Sequence, residues 1–185
     1  MNKIYITGHT GGLGNALCNY FDQEDIELVG LSRSNGYDLE KNLPDFVQDD
    51  FMYYINNAYS GFGQTELLYQ LFEKNQDRNC TIVNISSVSA DGNKDYENQY
   101  AVHKSSLDKA CAQLQLIDCN CKVINIRLGR MNTEMTAHRT MYPRMQPAYI
   151  AKTIGWILSQ PNEILIKNIT IDLMHSNRLI NSQSE

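Results

Sequence analysis

Short apolar runs rich in β-branched residues alternate along the chain with longer stretches in which apolar positions recur every three or four residues. The runs are continuously apolar rather than strictly alternating, which is the pattern of parallel strands covered on both faces, and the longer stretches supply the crossover helices. Strands are expected at 3–7, 26–31, 51–56, 80–86, 122–127 and 164–171, and helices at 12–21, 65–73, 99–117 and 147–159. The last helix opens on Pro147, a residue suited to a first helical turn. This order predicts an α/β domain of Rossmann type, a doubly wound parallel sheet between two helical layers. One passage is too short for the pattern. Between Leu31 and Phe51 there is room for a turn, an extended piece near 37–39 and a small helix around 43–47, so the third-strand region of the sheet is shortened.

Composition adds bounds. The 185 residues fit a single domain, 1–185, with enough apolar content to build a core without disulfide or metal staples. A net charge of −5 without runs of like charge gives no electrostatic reason to expect a nucleic-acid or membrane partner, and no apolar run reaches the roughly 20 residues of a membrane span. Residues 1–7 lack the hydrophobic stretch and cleavage site of a secretory signal, so a cytoplasmic protein is expected. The odd set Cys18, Cys80, Cys111, Cys119 and Cys121 suits buried reduced thiols, and Cys119 and Cys121 lack the second pair or the histidines a zinc site needs, so no metal is expected. Residues 181–185 read as a polar tail.

The first predicted strand runs into Thr7-Gly8-His9-Thr10-Gly11-Gly12-Leu13-Gly14 and then directly into a helical pattern. Glycines in such a turn let the backbone bend sharply and approach a pyrophosphate, whose charge faces the N–H groups and dipole of the helix start. About 20 residues further on, where an NAD-specific domain places a carboxylate for the adenosine ribose, stands Ser32-Arg33-Ser34. A guanidinium flanked by hydroxyls suits a 2′-phosphate, so NADP(H) is favoured over NAD(H).

Tyr100 and Lys104 are four residues apart on a predicted helix and share a face. A cation near a phenol favours phenolate and lets the tyrosine exchange a proton with a substrate oxygen. Ser87, at the end of a buried strand, offers a hydroxyl where an open α/β sheet presents ligand-binding groups. His103 is expected to point away from the pair, since adjacent helix positions do not share a face.

Together with Asn56-Asn57-Ala58 after the third run, these motifs resemble the short-chain dehydrogenase/reductase family over nearly the whole chain. The resemblance implies cofactor contacts at Thr7, Gly8, Thr10, Gly12, Leu13 and Gly14, at Ser32, Arg33 and Ser34, and at Asp38 and Leu39 near adenine. It implies others at Asn57, Ala58 and Tyr59, at Tyr100 and Lys104, and at Gly129, Met131 and Thr133 in the segment that covers nicotinamide. Ser87, Tyr100 and Lys104 take the family's catalytic roles: the serine orients the carbonyl, the tyrosine is the general acid in reduction, and the lysine lowers its pKa and holds the ribose. The implied activity is NADP(H)-dependent hydride transfer with a small carbonyl or alcohol, in a homodimer or homotetramer joined through the helices at 65–73 and 99–117.

The sequence departs from the family where it is short. The fourth catalytic residue, an asparagine supporting a water relay to the lysine, has no evident counterpart, Tyr59 stands in place of a glycine, and Leu128 in place of a proline. Tyr59 is open to two readings, a pocket-narrowing ring or an ordinary surface or core aromatic. The segment 136–146, with Arg139, Met141, Tyr142, Arg144 and Met145, occupies the position of a substrate-covering loop and reads equally as plain surface. A catalytically weak or inactive dinucleotide-binding sensor or scaffold is the alternative these departures leave open. A sugar-nucleotide epimerase or dehydratase shares the Tyr and Lys spacing but needs a substrate domain for which the stretch after Ile171 leaves little room.

Overall fold

The computed structural model describes residues 2–92, 96–137 and 143–173. Six strands, β1 (Lys3–Thr7), β2 (Glu27–Leu31), β3 (Tyr53–Asn56), β4 (Thr81–Ser87), β5 (Lys122–Leu128) and β6 (Asn168–Ile171), form one sheet in the order β2-β1-β3-β4-β5-β6. Every pairing is parallel. Four helices cover it: α1 (Gly12–Phe21), α2 (Gly63–Asn75), α3 (Gln99–Leu114) and α4 (Pro147–Leu158). Leu13, Leu17 and Phe21 of α1 and Ile150, Ile154 and Ile157 of α4 pack with Ile4, Ile6, Val83 and Ile126 on one face of the sheet. Leu67, Leu68 and Leu71 of α2 and Leu107, Cys111 and Leu114 of α3 pack with Tyr5, Tyr54 and Ile82 on the other. The strand order reverses at β1, and the crevice there, between the C-terminal ends of β1 and β3, is where a sheet of this kind receives a ligand.

Most element positions follow the hydrophobic pattern, and the exceptions have local causes. β4 is buried along its full length, as expected of a central strand, whereas β2 and β6 are partly exposed because each has a neighbour on one side only. The sixth strand starts at Asn168 rather than at 164, since Ile164 closes a turn by donating its N–H to the Pro161 carbonyl. No strand forms at 37–39. The chain after β2 makes a single 3-10 turn at Arg33–Asn35 and a second at Leu43–Phe46. Tyr37, Leu39, Leu43 and Phe46 then pack onto the α2–α3 face as irregular chain. The third strand is therefore missing, and β2 is an edge.

Four asparagines stand in register across β3, β4, β5 and β6: Asn56 beside Asn84, Asn84 beside Asn125, Asn125 beside Asn168. The first three are buried, and the Asn56 amide donates to Asn84 Oδ1 at 2.9 Å and to the Gln64 carbonyl at 2.9 Å. Asn125 donates to Asp108 of α3 at 2.9 Å. The row is only partly satisfied, since Asn56 Oδ1 and Asn125 Oδ1 have no hydrogen-bond partner among the described residues. All five cysteines are free thiols. Among the described residues no helix is long and apolar enough to cross a membrane.

Candidate active site

A cleft of about 1280 Å³ runs over the C-terminal ends of β1 to β5, long enough to take a dinucleotide along the sheet edge. Its middle is built by the glycine turn. Gly8 has φ +67°, a left-handed value that a side chain resists, and a Cβ on Gly14 would sit 2.0 Å from the Gly8 carbonyl oxygen. Helix α1 begins at Gly12 with no side-chain cap and no acidic residue in its first turn, so its opening N–H groups and dipole face the cleft uncompensated. That is what a pyrophosphate requires. Thr7 and Gly14 lie beneath the lining, not on it. Thr7 is fully buried, and its hydroxyl accepts from the N–H groups of Asn57 and Ala58 at 2.8 Å each, joining the turn to the end of β3. Asn57 returns the contact through its amide, which donates to the Thr7 carbonyl at 2.9 Å.

At the end expected to take adenine, Ser32, Arg33, Ser34, Asp38 and Leu39 line the cleft. The two serine hydroxyls share a hydrogen bond of 2.8 Å, and Asn35 clamps the turn by accepting from Ser32 N–H and donating to the Gly30 carbonyl. The Asp38 carboxylate is engaged within its own loop, by the Glu40 N–H at 3.1 Å and Lys41 at 3.5 Å.

The opposite end holds Ser87, Tyr100 and Lys104 on one wall. Burial raises the Tyr100 pKa above the usual phenol value, while the neighbouring Ser87 hydroxyl pulls the other way and nearby Tyr59 adds to the rise. The phenol is therefore protonated at neutral pH. Lys104 sits inside the apolar stripe of α3 that also carries Leu107, Cys111 and Leu114, and only 3% of it is exposed. Desolvation of the ammonium lowers its pKa to about 7, against a smaller opposing pull from Asp108. Its nitrogen donates to Gln64 Oε1 and to the Ile85 carbonyl, each at 2.7 Å, and lies 5.7 Å from the Tyr100 ring centre and 5.6 Å from that of Tyr59.

Tyr59 is part of this wall. Its ring centre is 5.0 Å from that of Tyr100, and its hydroxyl is 2.9 Å from His103 Nδ1. His103 meets Tyr59 and the Phe62 ring and is not among the residues that line the cleft with Tyr100 and Lys104. The nicotinamide-side residues Gly129, Met131 and Thr133 also line the cleft, as do Gly8, Thr10, Gly12, Leu13, Asn57, Ala58 and Tyr59. In the loop that follows, Met145 is a core residue paired with Met131 across a short bridge, and Arg144 donates to the Thr136 carbonyl at 3.2 Å. Arg139, Met141 and Tyr142 lie outside the described residues, as does the tail at 181–185.

A sequence profile of the NAD dependent epimerase/dehydratase family matches residues 4–59, from β1 to the Tyr59 turn. The 3-alpha-hydroxysteroid dehydrogenase from Pseudomonas sp. B-0831, complexed with NADH, is similar over 99% of this chain and 100% of its own, with 15% identity and a TM-score of 0.74. The chain has the short-chain dehydrogenase/reductase fold. A short-chain dehydrogenase/reductase from Vibrio parahaemolyticus is similar over 91% of this chain and 98% of its own, at 19% identity and a TM-score of 0.74. An alcohol dehydrogenase from the archaeon Thermococcus sibiricus, complexed with 5-hydroxy-NADP, shares 14% identity over 92% of this chain and 96% of its own, with a TM-score of 0.72. No curated protein matches in sequence.

Within this short-chain dehydrogenase/reductase fold, one site residue escaped the sequence reading. Gln64, in the first turn of α2, is 2% exposed and lies against Lys104. The only signal was a polar residue one position before the helix expected at 65–73, a place that ordinarily faces solvent.

Proposed function

We propose that the protein is an NADP(H)-dependent oxidoreductase that transfers a hydride between nicotinamide and a small carbonyl or alcohol. The observation that carries the reading is the continuity of one cleft from the uncapped start of α1 to Ser87, Tyr100 and Lys104. The hydride chemistry would be the cofactor's own, and the chain's part is placement and proton supply. The α1 N-terminus, with Gly8, Gly12 and Leu13, holds the pyrophosphate. Arg33 and the hydroxyls of Ser32 and Ser34 meet the adenosine 2′-phosphate, a reading favoured by the engagement of Asp38 within its own loop. Lys104 faces the ribose on the nicotinamide side. Ser87 orients the substrate carbonyl, and Tyr100 gives its proton to the oxygen as the alcohol forms. A protonated phenol is the form that supplies the proton in the reductive direction.

Replacing Tyr100 by Phe tests the assignment. Turnover of a carbonyl substrate with NADPH is expected to fall by about 10²- to 10⁴-fold, the usual worth of a positioned acid, with NADPH binding unchanged by calorimetry. Equal turnover in both proteins would refute the role of Tyr100, and dinucleotide binding without turnover in either would favour a sensor. We further infer that subunits pair through the outer faces of α2 and α3, where Phe62, Tyr69 and Val102 are exposed. Sedimentation of the purified protein checks this, with a dimer or tetramer as the expected species.

A further inference from the structure

We propose that Gln64 is the positioning residue for Lys104, fixing the lysine nitrogen so that its one uncommitted position faces the cleft. The inference rests on the catalytic reading above for its consequence, though not for its geometry.

An ammonium has three N–H groups. Two of those on Lys104 are taken, by Gln64 Oε1 and by the Ile85 carbonyl, each at 2.7 Å. The third is assigned to the side of the Tyr59 and Tyr100 rings, 5.6 and 5.7 Å from the nitrogen, on the wall where Lys104 lines the cleft. The amide of Gln64 has no choice of orientation. Its Nε2 donates to the Asn56 carbonyl at 2.7 Å and to the Ile85 carbonyl at 3.2 Å, so Oε1 is left for the lysine; reversing the amide would set NH₂ against the ammonium and oxygen against two carbonyls. The backbone of Gln64 is pinned as well, because its carbonyl accepts from Asn56 Nδ2 at 2.9 Å. The residue thus ties α2, the end of β3, the end of β4 and α3 together at Lys104.

The charged and titratable groups facing Lys104 are few. Asp108 and Cys111 lie further along α3, Tyr100 precedes it on the same helix, and Tyr59 comes from the loop after β3. From α2 and β4 it meets only the neutral Gln64 amide and the Ile85 carbonyl. With so little compensating charge, the neutral acceptor at Gln64 helps set how readily the buried lysine holds its proton, and the desolvation that brings its pKa to about 7 leaves that balance within reach of a single substitution. Through Lys104 it sets the pH range in which Tyr100 has a cation beside it.

The test is a pH titration of the full chain labelled with ¹³Cε,¹⁵Nζ-lysine, followed by NMR, with Lys104 assigned by the Lys104→Met variant. In the wild type Lys104 is expected to titrate near pH 7. Gln64→Glu supplies an anionic acceptor of the same shape and should raise that midpoint by about one unit or more. Gln64→Met keeps the length, removes the acceptor and should lower it. The pH profile of kcat/KM should move with the midpoint in Gln64→Glu. If both variants fold, as circular dichroism would show, and neither moves the midpoint, Gln64 is a structural strut and the proposal is overturned. Absence of any turnover or dinucleotide binding in the wild type would overturn the oxidoreductase reading instead, while the lysine titration still decides the role of Gln64.

Discussion

At the residue scale, the proposed preference for NADP(H) rests on Arg33. It stands exposed on the adenine end of the cleft, between two serines that bond each other. A guanidinium–phosphate contact is worth about 1.5–3 kcal/mol, so Arg33→Ala should weaken NADPH about tenfold to a hundredfold and leave NADH nearly unchanged, measured by calorimetric titration. Equal losses for both would show that Arg33 does not read the 2′-phosphate. Lys104 was legible from its spacing to Tyr100, and its position in the apolar stripe of α3 is itself a signal, because a lysine among Leu107, Cys111 and Leu114 must have partners inside. Those partners were not legible. Gln64 is 40 residues away and Ile85 contributes only a carbonyl, which any residue possesses. For His103, helix geometry places it off the Tyr100–Lys104 face but says nothing of Tyr59, which arrives from another element to meet it.

Among the elements, α1 and its approach were fully readable, because the glycines and the apolar spacing point to the same boundary, and the helix does span Gly12–Phe21. The geometry makes a demand at Gly14. A methyl there would lie 2.0 Å from the Gly8 carbonyl and 2.9 Å from the His9 Cα, and backbone cannot retreat as a side chain does. Gly14→Ala should therefore displace the turn from the helix, costing about 1–3 kcal/mol in chemical denaturation and abolishing dinucleotide binding. An unchanged affinity would mean that the turn is not the pyrophosphate site. The segment after β2 was harder to read. Tyr37-Asp38-Leu39 looks like a short strand because its apolar residues are needed in the core, yet they enter it from irregular chain held by Asn42, which accepts from Asp38 N–H and donates to the Gly36 carbonyl. Side-chain clamps of this sort leave no period in a sequence.

At the scale of the whole molecule, one buried charge gives stability a recognisable pH dependence. Lys104 holds its proton less tightly folded, with a pKa of about 7, than unfolded, where the value is 10.5. Between those values the unfolded chain binds more protons, so this lysine's contribution makes the protein more stable as pH rises from about 7 towards 10, and costs stability below. Comparing wild type with Lys104→Met across that range should show the wild type gaining relative to the variant as pH increases. Parallel curves would show that the ammonium is not desolvated. The buried row adjoins the same region at two points, Asn56 bonding Gln64 and Asn84, and Asn125 bonding Asp108.

The edge position of β2 has a bearing on how such a protein changes over time. Because no strand follows it, the wall beside the adenine half is a loop suspended from Asn35 and Asn42, with Phe46 and Leu43 as its anchors in the core. The part proposed to distinguish one dinucleotide from another is thereby detachable from the part proposed to carry out chemistry. If the proposed cofactor reading holds, residues 33–42 act as a cartridge: a different loop of similar length, with the same two asparagines and the same anchors, is expected to exchange the cofactor preference while the sheet, the glycine turn and the Lys104 wall stay as they are.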